Sequence, residues 1–272
     1  AAMEVVMINF ENNNTGNMLQ QIQQKQSSLL EKLGSSKQVN SAADGSAAQL
    51  IIDRLTSQTE GSRQAISNAY DGIALTQVAD SGLATISQDA NRIRELTVQA
   101  GNGAINDADR KALQSEISAL QDNISFTVEQ TNFAGKPLLS GGQDISFLIG
   151  SSSGNNIDVE TTNVTDSING LLSIDVTSNE SRQQALDIAD ASLEAIGGFR
   201  GDLGATQNQF ATAASVLSES NINTQSARSR IQDVDYAQGT SDLAAAQVQG
   251  QASLTVQAQA NQQQTQVLAL LG

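Results

Sequence analysis

The sequence contains no cysteine, no histidine and no tryptophan, and aromatic residues make up only 3% of its 272 residues. Without cysteine or histidine, the chain lacks the usual ligands of a structural zinc site and the side chains of Ser-His-Asp or Cys-His catalysis. No disulfide can stabilise the fold. A carboxylate enzyme would need a pocket walled by apolar and aromatic groups, so the shortage of aromatic residues argues against an enzyme with a large ligand pocket.

Positive charge is also scarce, with 14 Lys and Arg against 29 Asp and Glu and a net charge of -15. Nucleic-acid phosphates and anionic membrane surfaces attract Lys and Arg, so we expect neither of these partners. No run of the sequence has the apolar length of a membrane span, and "AAMEVVMINF" lacks the basic segment of a secretory signal peptide. If the protein acts outside the cell, we expect it to leave by a route that needs no cleaved signal peptide.

Proline occurs only once, at Pro137, so very long helices are permitted. The pattern predicts one from about residue 45 to Ala100, after a capping-box-like "SAAD" and before "GNG". Apolar or small residues recur there at steps of three and four, at Ile52, Leu55, Thr59, Ser62, Ile66, Ala69, Ile73, Thr76, Leu83, Ile86, Ala90, Ile93, Thr97 and Ala100. This near-heptad pattern is typical of a helix packed lengthwise on other helices. Such a helix is about 80 Å long, whereas a compact globule of this chain length has a radius of gyration of about 19 Å. We therefore predict an elongated rod.

Shorter elements follow the long helix. Asn106 is a good N-cap for a helix that ends around residues 132–135, with an apolar face of Leu113, Ile117, Leu120, Ile124 and Val128. Residues 136–177 are rich in Gly, Ser, Asn and Thr. Alternation in "DISFLIG" and "NNIDVE", separated by "SSSG", predicts a β-hairpin within a loop-rich region.

A further helix is predicted to begin at Ser178, with Leu203, Thr206, Phe210, Ala213 and Leu217 on its apolar face. Four glycines lie within it, at positions 197, 198, 201 and 204. We interpret them as sites of close helix packing or of a local kink, with a functional hinge as the alternative.

The two ends of the sequence carry thin apolar stripes at helical spacing. The first stripe consists of Met18, Ile22, Leu29 and Leu33. The second consists of Ala245, Val248, Ala252, Val256, Ala260, Val267 and Leu271. From Leu243 onward no side chain is charged. The simplest closure is antiparallel, with the two ends side by side and the β region at the opposite tip.

The energies of ordering and burial indicate whether the two ends of the chain can fold by pairing with each other alone. Ordering one residue costs about 1–2 kcal/mol of backbone entropy, and burying a Val or Leu returns about 1.5–3 kcal/mol. The second stripe has few such residues, so pairing with the first stripe alone would be marginal. Uncharged Ala and Gln faces can pack on further copies without burying charge. We infer that both ends become ordered on self-assembly, although the residues alone equally allow a helical hairpin within one bundle.

Longer motifs resemble bacterial flagellins. The stretch "VNSAADGSAAQLIIDRLTSQTEGSRQAISNAYDGIALTQVADSGLATI", together with "NRIRELTVQAGNG" and "TNFAGKPLL", is similar to the N-terminal region of that family. The stretches "GDLGATQNQF", "SARSRIQDVDYA" and "AQANQQQTQVLALL" resemble its C-terminal region. The resemblance covers both ends of the chain and omits only about residues 140–177.

The resemblance implies a mainly α, elongated antiparallel helical rod or coiled coil with a small central β-hairpin region. Residues 1–44 and 226–272 would form an inner-tube coiled coil that is disordered in the monomer. Residues 45–135 and 178–225 would form the surrounding shell, and residues 136–177 a short hairpin and loop region without large outer domains.

The resemblance also implies a structural subunit that polymerises into the extracellular flagellar filament for swimming, after export unfolded through the flagellar type III apparatus. Its expected partners are further copies of itself, an export chaperone, the filament cap and hook-associated proteins. No catalytic residue, cofactor or metal is expected. The sequence departs from the family at Gln264, where flagellins usually have proline, and at Gly239, where they generally have an acidic residue. The opening segment and Lys37–Gln38 are also atypical, which suggests a minor or specialised flagellin.

Two sets of residues are candidate sites. Arg92, Leu96 and Glu116, with Asn91 in place of the common Gln, resemble the patch by which many flagellins engage a vertebrate Toll-like receptor. The alternative is that this face packs on a neighbouring subunit. The pairs Asp107/Asp109 and Asp233/Asp235 could bind Ca²⁺ or act as acid and base, but a helix start and a solvated face explain them more simply.

Two other functions stay open at this point. One is a hook–filament junction protein, which shares the terminal helices but which the "RELTVQAGNG" context disfavours. The other is a helical coiled-coil binding module or adhesin, whose ends would be stable in the monomer.

Overall fold

The computed structural model describes residues 2–141, 143–150, 154–161 and 163–271, and within these it leaves the side chains of 2–15, 179, 180, 264 and 267–271 undescribed. The helices of this part of the chain are α1 (Ala2–Ser35), α2 (Ser46–Ala100), α3 (Asp107–Gln130), α4 (Val164–Leu172), α5 (Asn179–Gln232) and α6 (Tyr236–Leu271). The strands are β1 (Asn132–Phe133), β2 (Lys136–Pro137), β3 (Ile145–Leu148) and β4 (Asn156–Val159). The predicted mainly α fold with a small central hairpin is confirmed.

The chain forms two compact units. One, here called the terminal unit, consists of Ala1–Ser57 and Asn223–Gly272. The other, here called the central unit, consists of Gln58–Ile222. Within the described residues, no helix combines the length and the hydropathy that a bilayer span requires.

The core of the central unit follows the near-heptad pattern of α2. Every position of that pattern from Thr59 to Ala100 is buried or half-buried. α3 adds its predicted face, of which Ile117, Ile124 and Val128 are buried. The helix begins as predicted, because the side chain of Asn106 accepts a hydrogen bond from the Asp109 amide at 2.8 Å. Both predictions are therefore confirmed.

α5 lies antiparallel to α2, as their paired residues show. Arg200 Nε donates to Asp80 Oδ1 at 2.7 Å, and Arg94 Nε contacts Asp190, so the sequence numbers run in opposite directions. These pairs are about half-exposed and are worth only about 0.2–1 kcal/mol each. Apolar burial therefore supplies most of the stability of this helix pair.

One aromatic contact ties α2, α5 and the hairpin together. A Cβ on Gly72 would lie 2.5 Å from Cζ of Phe210, so only glycine lets this fully buried ring rest directly on α2. The ring of Phe147 meets Phe210 edge to face, with centroids 5.4 Å apart. The hairpin is thus anchored to the helices by two of the six phenylalanines in the sequence.

The predicted hairpin is present, with β3 and β4 antiparallel and Ile145 opposite Val159. Of the predicted "SSSG" turn, residues 151–153 lie outside the described residues. A second small hairpin pairs β1 with β2. Its two turn residues, Ala134 and Gly135, have φ values of 51° and 80°, as a type I′ turn requires.

The interpretation of residues 136–177 as hairpin and loops was incomplete, because α4 lies within them. Val164, Ile168 and Leu171 are buried at helical spacing, and the Gln121 side chain on α3 donates to the Leu171 carbonyl at 3.0 Å. Glycine, serine and asparagine between these apolar residues hid a helix of only nine residues. Tertiary burial overrides weak local propensity here.

Two further details differ from expectation. The glycines at 197, 198, 201 and 204 lie in an uninterrupted α5, and nothing lies within 4 Å of a Cβ built on any of them. The close-packing interpretation is therefore wrong for the isolated subunit. Upstream of α2, the Asp44 carboxylate accepts from the Asn40 and Ser41 amides at 3.0 and 2.9 Å. This closes a turn, and α2 itself begins at Ser46.

The predicted helix start near Ser178 is confirmed by a hydrogen bond from the Ser181 amide to Ser178 Oγ at 3.2 Å.

Candidate functional site

Helices α1 and α6 pack antiparallel within the terminal unit, so the two sequence ends lie side by side as predicted. The contact is close because small residues of α6 face α1. A Cβ on Gly250 would lie 3.5 Å from Cγ2 of Ile22 and 3.0 Å from Nε2 of Gln26. The same Gln26 amide donates to the Ala246 carbonyl at 2.7 Å. At this point the helix pair is thus held by the buried Ile22 and by a side-chain hydrogen bond to the backbone.

The two connections that follow α1 and α5 are joined to each other. The Gln38 amide donates to the Gln232 carbonyl at 2.6 Å, and the Val234 amide donates to the Ser36 carbonyl at 3.2 Å. Ser36 ends α1 with φ 59°, in the left-handed conformation of a helix C-cap. These paired backbones fix the end of α1 relative to the beginning of α6.

Tyr236 strengthens this junction at the first residue of α6. Its hydroxyl donates to the Leu33 carbonyl at 2.6 Å and lies 2.9 Å from Ser36 Oγ. Gly239 lies one turn further on, where a Cβ would be 2.9 Å from Cδ2 of Leu33. An acidic side chain at position 239 would therefore displace Leu33, which gives the departure from the family pattern at this position a structural role.

Several of the larger apolar side chains of the terminal helices are exposed. Met18 and Leu30 on α1 are 55% and 56% exposed. On α6, Val248 is 67% exposed, and Leu254 and Val256 are 54% and 56% exposed. This set of five is called here the exposed apolar set, and its members lie on more than one side of the helix pair. It is unusual because exposed apolar residues that recur along a helix pair mark an interaction surface.

The predicted polymerisation residues occupy different environments. Ile22 is buried, and Leu29, Leu33 and Ala260 are half-buried. Met18, Val248, Ala252 and Val256 are exposed, and the side chains of Val267 and Leu271 lie outside the described residues. The second stripe is therefore not the face that α6 turns to α1. That face instead consists of Leu243, Ala246, Gly250, Ser253, Gln257 and Ala260.

Sequence reasoning missed Ala246, Gly250 and Tyr236. Glycine and alanine carry little hydrophobic signal, so a search for apolar periodicity overlooks them. The spacing of Ala246, Gly250 and Ser253 at steps of four and three was nevertheless visible in the sequence.

The second predicted patch lies on α2 and α3 of the central unit. Arg92 donates through Nε and Nη2 to Glu116 Oε1 at 3.0 and 2.7 Å, and through Nη1 to Glu95 at 3.1 Å. The hydrogen bond with Glu116 is the main reason that the pKa of Arg92 is raised. Asn91 is exposed beside it, whereas Leu96 is buried in the core. The surface patch thus consists of Asn91, Arg92 and Glu116.

The acidic pairs have structural partners. Asp107 contacts Arg110 at 3.0 Å, and the Asp109 amide binds the cap residue Asn106. Asp235 accepts from the Ala237 amide at 2.9 Å and so begins α6. Across the described ranges, no cluster of three or more acidic side chains could hold a metal ion.

Comparison with known proteins accounts for this architecture. The sequence model of the bacterial flagellin N-terminal helical region matches residues 6–144, and that of the bacterial flagellin C-terminal helical region matches residues 186–271. A flagellin of Halalkalibacterium halodurans is 35% identical, with 89% of this chain and 90% of the relative covered. A flagellin of Bacillus subtilis is 33% identical, with 95% and 96% covered.

A solved structure agrees with the fold. The crystal structure of Bacillus cereus flagellin matches with a TM-score of 0.52 at 24% identity, covering 55% of this chain and 88% of that one. The two family matches together cover α2, α3 and α6 and most of α1 and α5, and nothing favours a junction protein or an adhesin. This chain belongs to the bacterial flagellin family and is a structural subunit of a flagellar filament.

Proposed function

We propose that α1 and α6 are the assembly elements of this subunit and that they form the inner tube of the filament, with residues 1–44 and 226–272 contributing. The observation that carries this proposal is the exposed apolar set. The α1–α6 contact uses small and polar residues, while Met18, Leu30, Val248, Leu254 and Val256 remain more than half exposed. These side chains gain burial only when further copies pack against them.

The lack of charge on α6 fits the same role. Its 36 residues contain one charged side chain, Asp242. Packing this helix among copies of itself therefore buries almost no charge, and burial of unpaired charge is the main cost that would oppose such a tube. The amide side chains of its many glutamines can donate and accept across helices, as Gln26 does to Ala246.

The remaining features of the proposal follow from family membership. The shell is formed by residues 45–135 and 178–225, and residues 136–177 form a small outer region. The subunit leaves the cell unfolded through the flagellar type III apparatus and joins the extracellular filament. Its partners are an export chaperone, the filament cap and hook-associated proteins, and it has no enzymatic role. The patch of Asn91, Arg92 and Glu116 is proposed to contact either a neighbouring subunit or a vertebrate Toll-like receptor.

The first experiment compares the full chain with a chain that ends at Asp242, both seeded with filament fragments and imaged by negative-stain electron microscopy. We expect filaments from the full chain only. Discrete particles from both proteins would contradict the proposal and favour a self-contained helical module.

A second experiment tests the exposed apolar set itself, with a double variant and a control. Val248→Ser with Val256→Ser leaves the α1–α6 contact unchanged, because both side chains point away from it. We expect a rise in critical concentration of about tenfold or more, since two apolar side chains lose their burial in the polymer. Val216→Ser is the matched control, because Val216 is 60% exposed on α5 of the central unit. An equal effect from the control would show that exposed valines matter regardless of their helix.

A further inference from the structure

A cavity of about 330 Å³ lies in the central unit between α2, α5 and the end of strand β4. Its inner wall is apolar and includes Leu75, Leu83, Leu139, Val159, Phe199 and Leu203. Leu75 and Leu83 are fully buried, so the cavity reaches into the core rather than lying flat on the surface. An apolar chain entering from outside would find contacts on several sides.

The mouth of this cavity is acidic. Asp158, Glu160 and Asp202 line it and all three are exposed. None of the described residues that line the cavity carries a positive charge. Thr161 also lines it, and its buried Oγ1 has no hydrogen-bond partner among the described residues. An occupant with an apolar stem and a cationic head would satisfy both the wall and the mouth.

Of the glycines of α5, Gly198 lies beside this mouth, whereas Gly197, Gly201 and Gly204 lie further round the helix. Gly198 precedes Asp202 by four residues and Ala205 by seven, so the three share one face of the helix. Nothing lies within 4 Å of a Cβ at Gly197, Gly198, Gly201 or Gly204. Glycine is among the least favourable residues in a helix interior, and the isolated subunit offers no packing reason for four of them. A bare helix surface of this kind lets another backbone approach closely.

We propose that this cavity receives a lysine or arginine side chain from a second copy of the chain, whose backbone crosses α5 at Gly198. Lysine and arginine have the required apolar stem and charged head. A side chain of one copy that enters the cavity of the next makes a heterologous contact, and contacts of this kind build open helical polymers. Each copy carries a net charge of -15, so the copies repel one another. A contact between acidic and basic groups at one place therefore sets how neighbouring copies align.

This inference rests on the proposed function, since it needs copies that assemble, but it concerns a surface outside the α1–α6 pair. The test neutralises the cavity in the full chain with Asp158→Asn, Glu160→Gln and Asp202→Asn. The matched control is Asp71→Asn, Asp122→Asn and Glu129→Gln, which removes the same charge from exposed positions on α2 and α3. Both proteins lose three negative charges, which by itself favours assembly.

We expect the cavity variant to raise the critical concentration of seeded assembly at least tenfold, while the control lowers it or leaves it unchanged. Gly198→Leu should have the same effect as the cavity variant and should leave the thermal unfolding of the monomer unimpaired, because its side chain enters open space. A cavity variant and a Gly198→Leu variant that assemble like the unmodified chain would overturn the inference. Filaments would still form in that case, so the proposed function would stand.

A direct measurement uses the absence of cysteine. Gly198→Cys gives one thiol for a nitroxide label, whose mobility is read by electron paramagnetic resonance. We expect a mobile label in the monomer and an immobilised one in the filament. The free monomer is also titrated with pentylammonium, with pentanoate as the opposite-charge control, while the methyl signals of Leu83 and Leu139 are followed by NMR. Saturable shifts with pentylammonium alone support the cavity as a cation site, and a mobile label in the filament excludes a second copy as the occupant.

Discussion

In the central unit the helices meet through leucine, isoleucine and phenylalanine, whereas in the terminal unit α1 and α6 meet through glycine, alanine and glutamine. Leu75, Ile93, Ile117 and Phe210 are at most 1% exposed, so the central unit has a core of its own. In the terminal unit, Ile22 is the large side chain of the α1–α6 contact that is buried, at 6% exposure.

The difference shows how one chain can carry two kinds of stability. A unit with a filled core is stable alone, because burial of each large side chain contributes about 1.5–3 kcal/mol. A helix pair with small residues inside and larger apolar residues outside gains most of its burial from other molecules. The second arrangement suits a part of the chain that must stay open to partners until the polymer forms.

The largest expected effect comes from removing the ring at the centre of the central unit. Phe210→Ala should lower the free energy of unfolding of the monomer by about 3–5 kcal/mol, because a fully buried ring leaves a cavity. Urea denaturation followed by circular dichroism measures this. Ile22→Ala is the control in the terminal unit and should leave the midpoint of that transition in place. If both variants lower the midpoint equally, the central unit and the terminal unit do not differ in how much their buried side chains stabilise the monomer.

A smaller loss of stability is expected when the space beside the Phe210 ring is overfilled. Gly72→Ala puts a Cβ 2.5 Å from the ring of Phe210, and such overpacking costs about 1–3 kcal/mol. The contrasting variant is Gly197→Ala on the open face of α5, which should stabilise the monomer by about 0.8–1.0 kcal/mol through helix propensity. The two thermal midpoints should therefore move in opposite directions. Adding Phe210→Leu to Gly72→Ala should recover part of the loss, and a failure to do so would mean that the clash lies elsewhere.

The smallest effect concerns Asp44 in the terminal unit. Backbone hydrogen bonds from Asn40 and Ser41 hold the pKa of Asp44 below its ordinary value. Because the folded pKa is the lower one, the carboxylate stabilises the turn at pH values above its unfolded pKa of about 3.9. This contribution is lost as the pH falls through the folded pKa. NMR should show the Asn40 and Ser41 amide signals titrating in acid in the unmodified chain but not in Asp44→Asn. Identical titration curves for the two proteins would contradict the proposed turn.

Prediction from sequence succeeded where each helix has a strong apolar face. The positions of α2 from Ile52 to Ala100 step by three and four without ambiguity, and the structure buries or half-buries them. It failed for α4, where Val164, Ile168 and Leu171 are the only strong signal in a short helix. It also misjudged the glycines of α5, since glycine in a helix indicates close approach without telling whether the approaching partner is in the same chain.

The candidate site was harder to predict because α6 is nearly uniform around its circumference. Alanine, glutamine and valine occur on all sides, so several stripes can be drawn and the sequence does not rank them. Val248 and Val256 were chosen for their hydrophobicity, but α1 packs on Ala246 and Gly250. The roles of the predicted polymerisation residues, and of Asn91, Arg92 and Glu116, stay predictions for the experiments above.

The sequence by itself determined the helices other than α4 and membership in the flagellin family, because periodicity and composition are properties of a single chain. Only the tertiary structure decided which face of α6 meets α1 and which apolar side chains remain outside. That choice depends on the fit of two surfaces. Gly250 leaves room for Ile22, Gly239 leaves room for Leu33, and Tyr236 binds the Leu33 carbonyl. A helical period locates residues on their own helix, but only the shape of the partner selects the face that is buried.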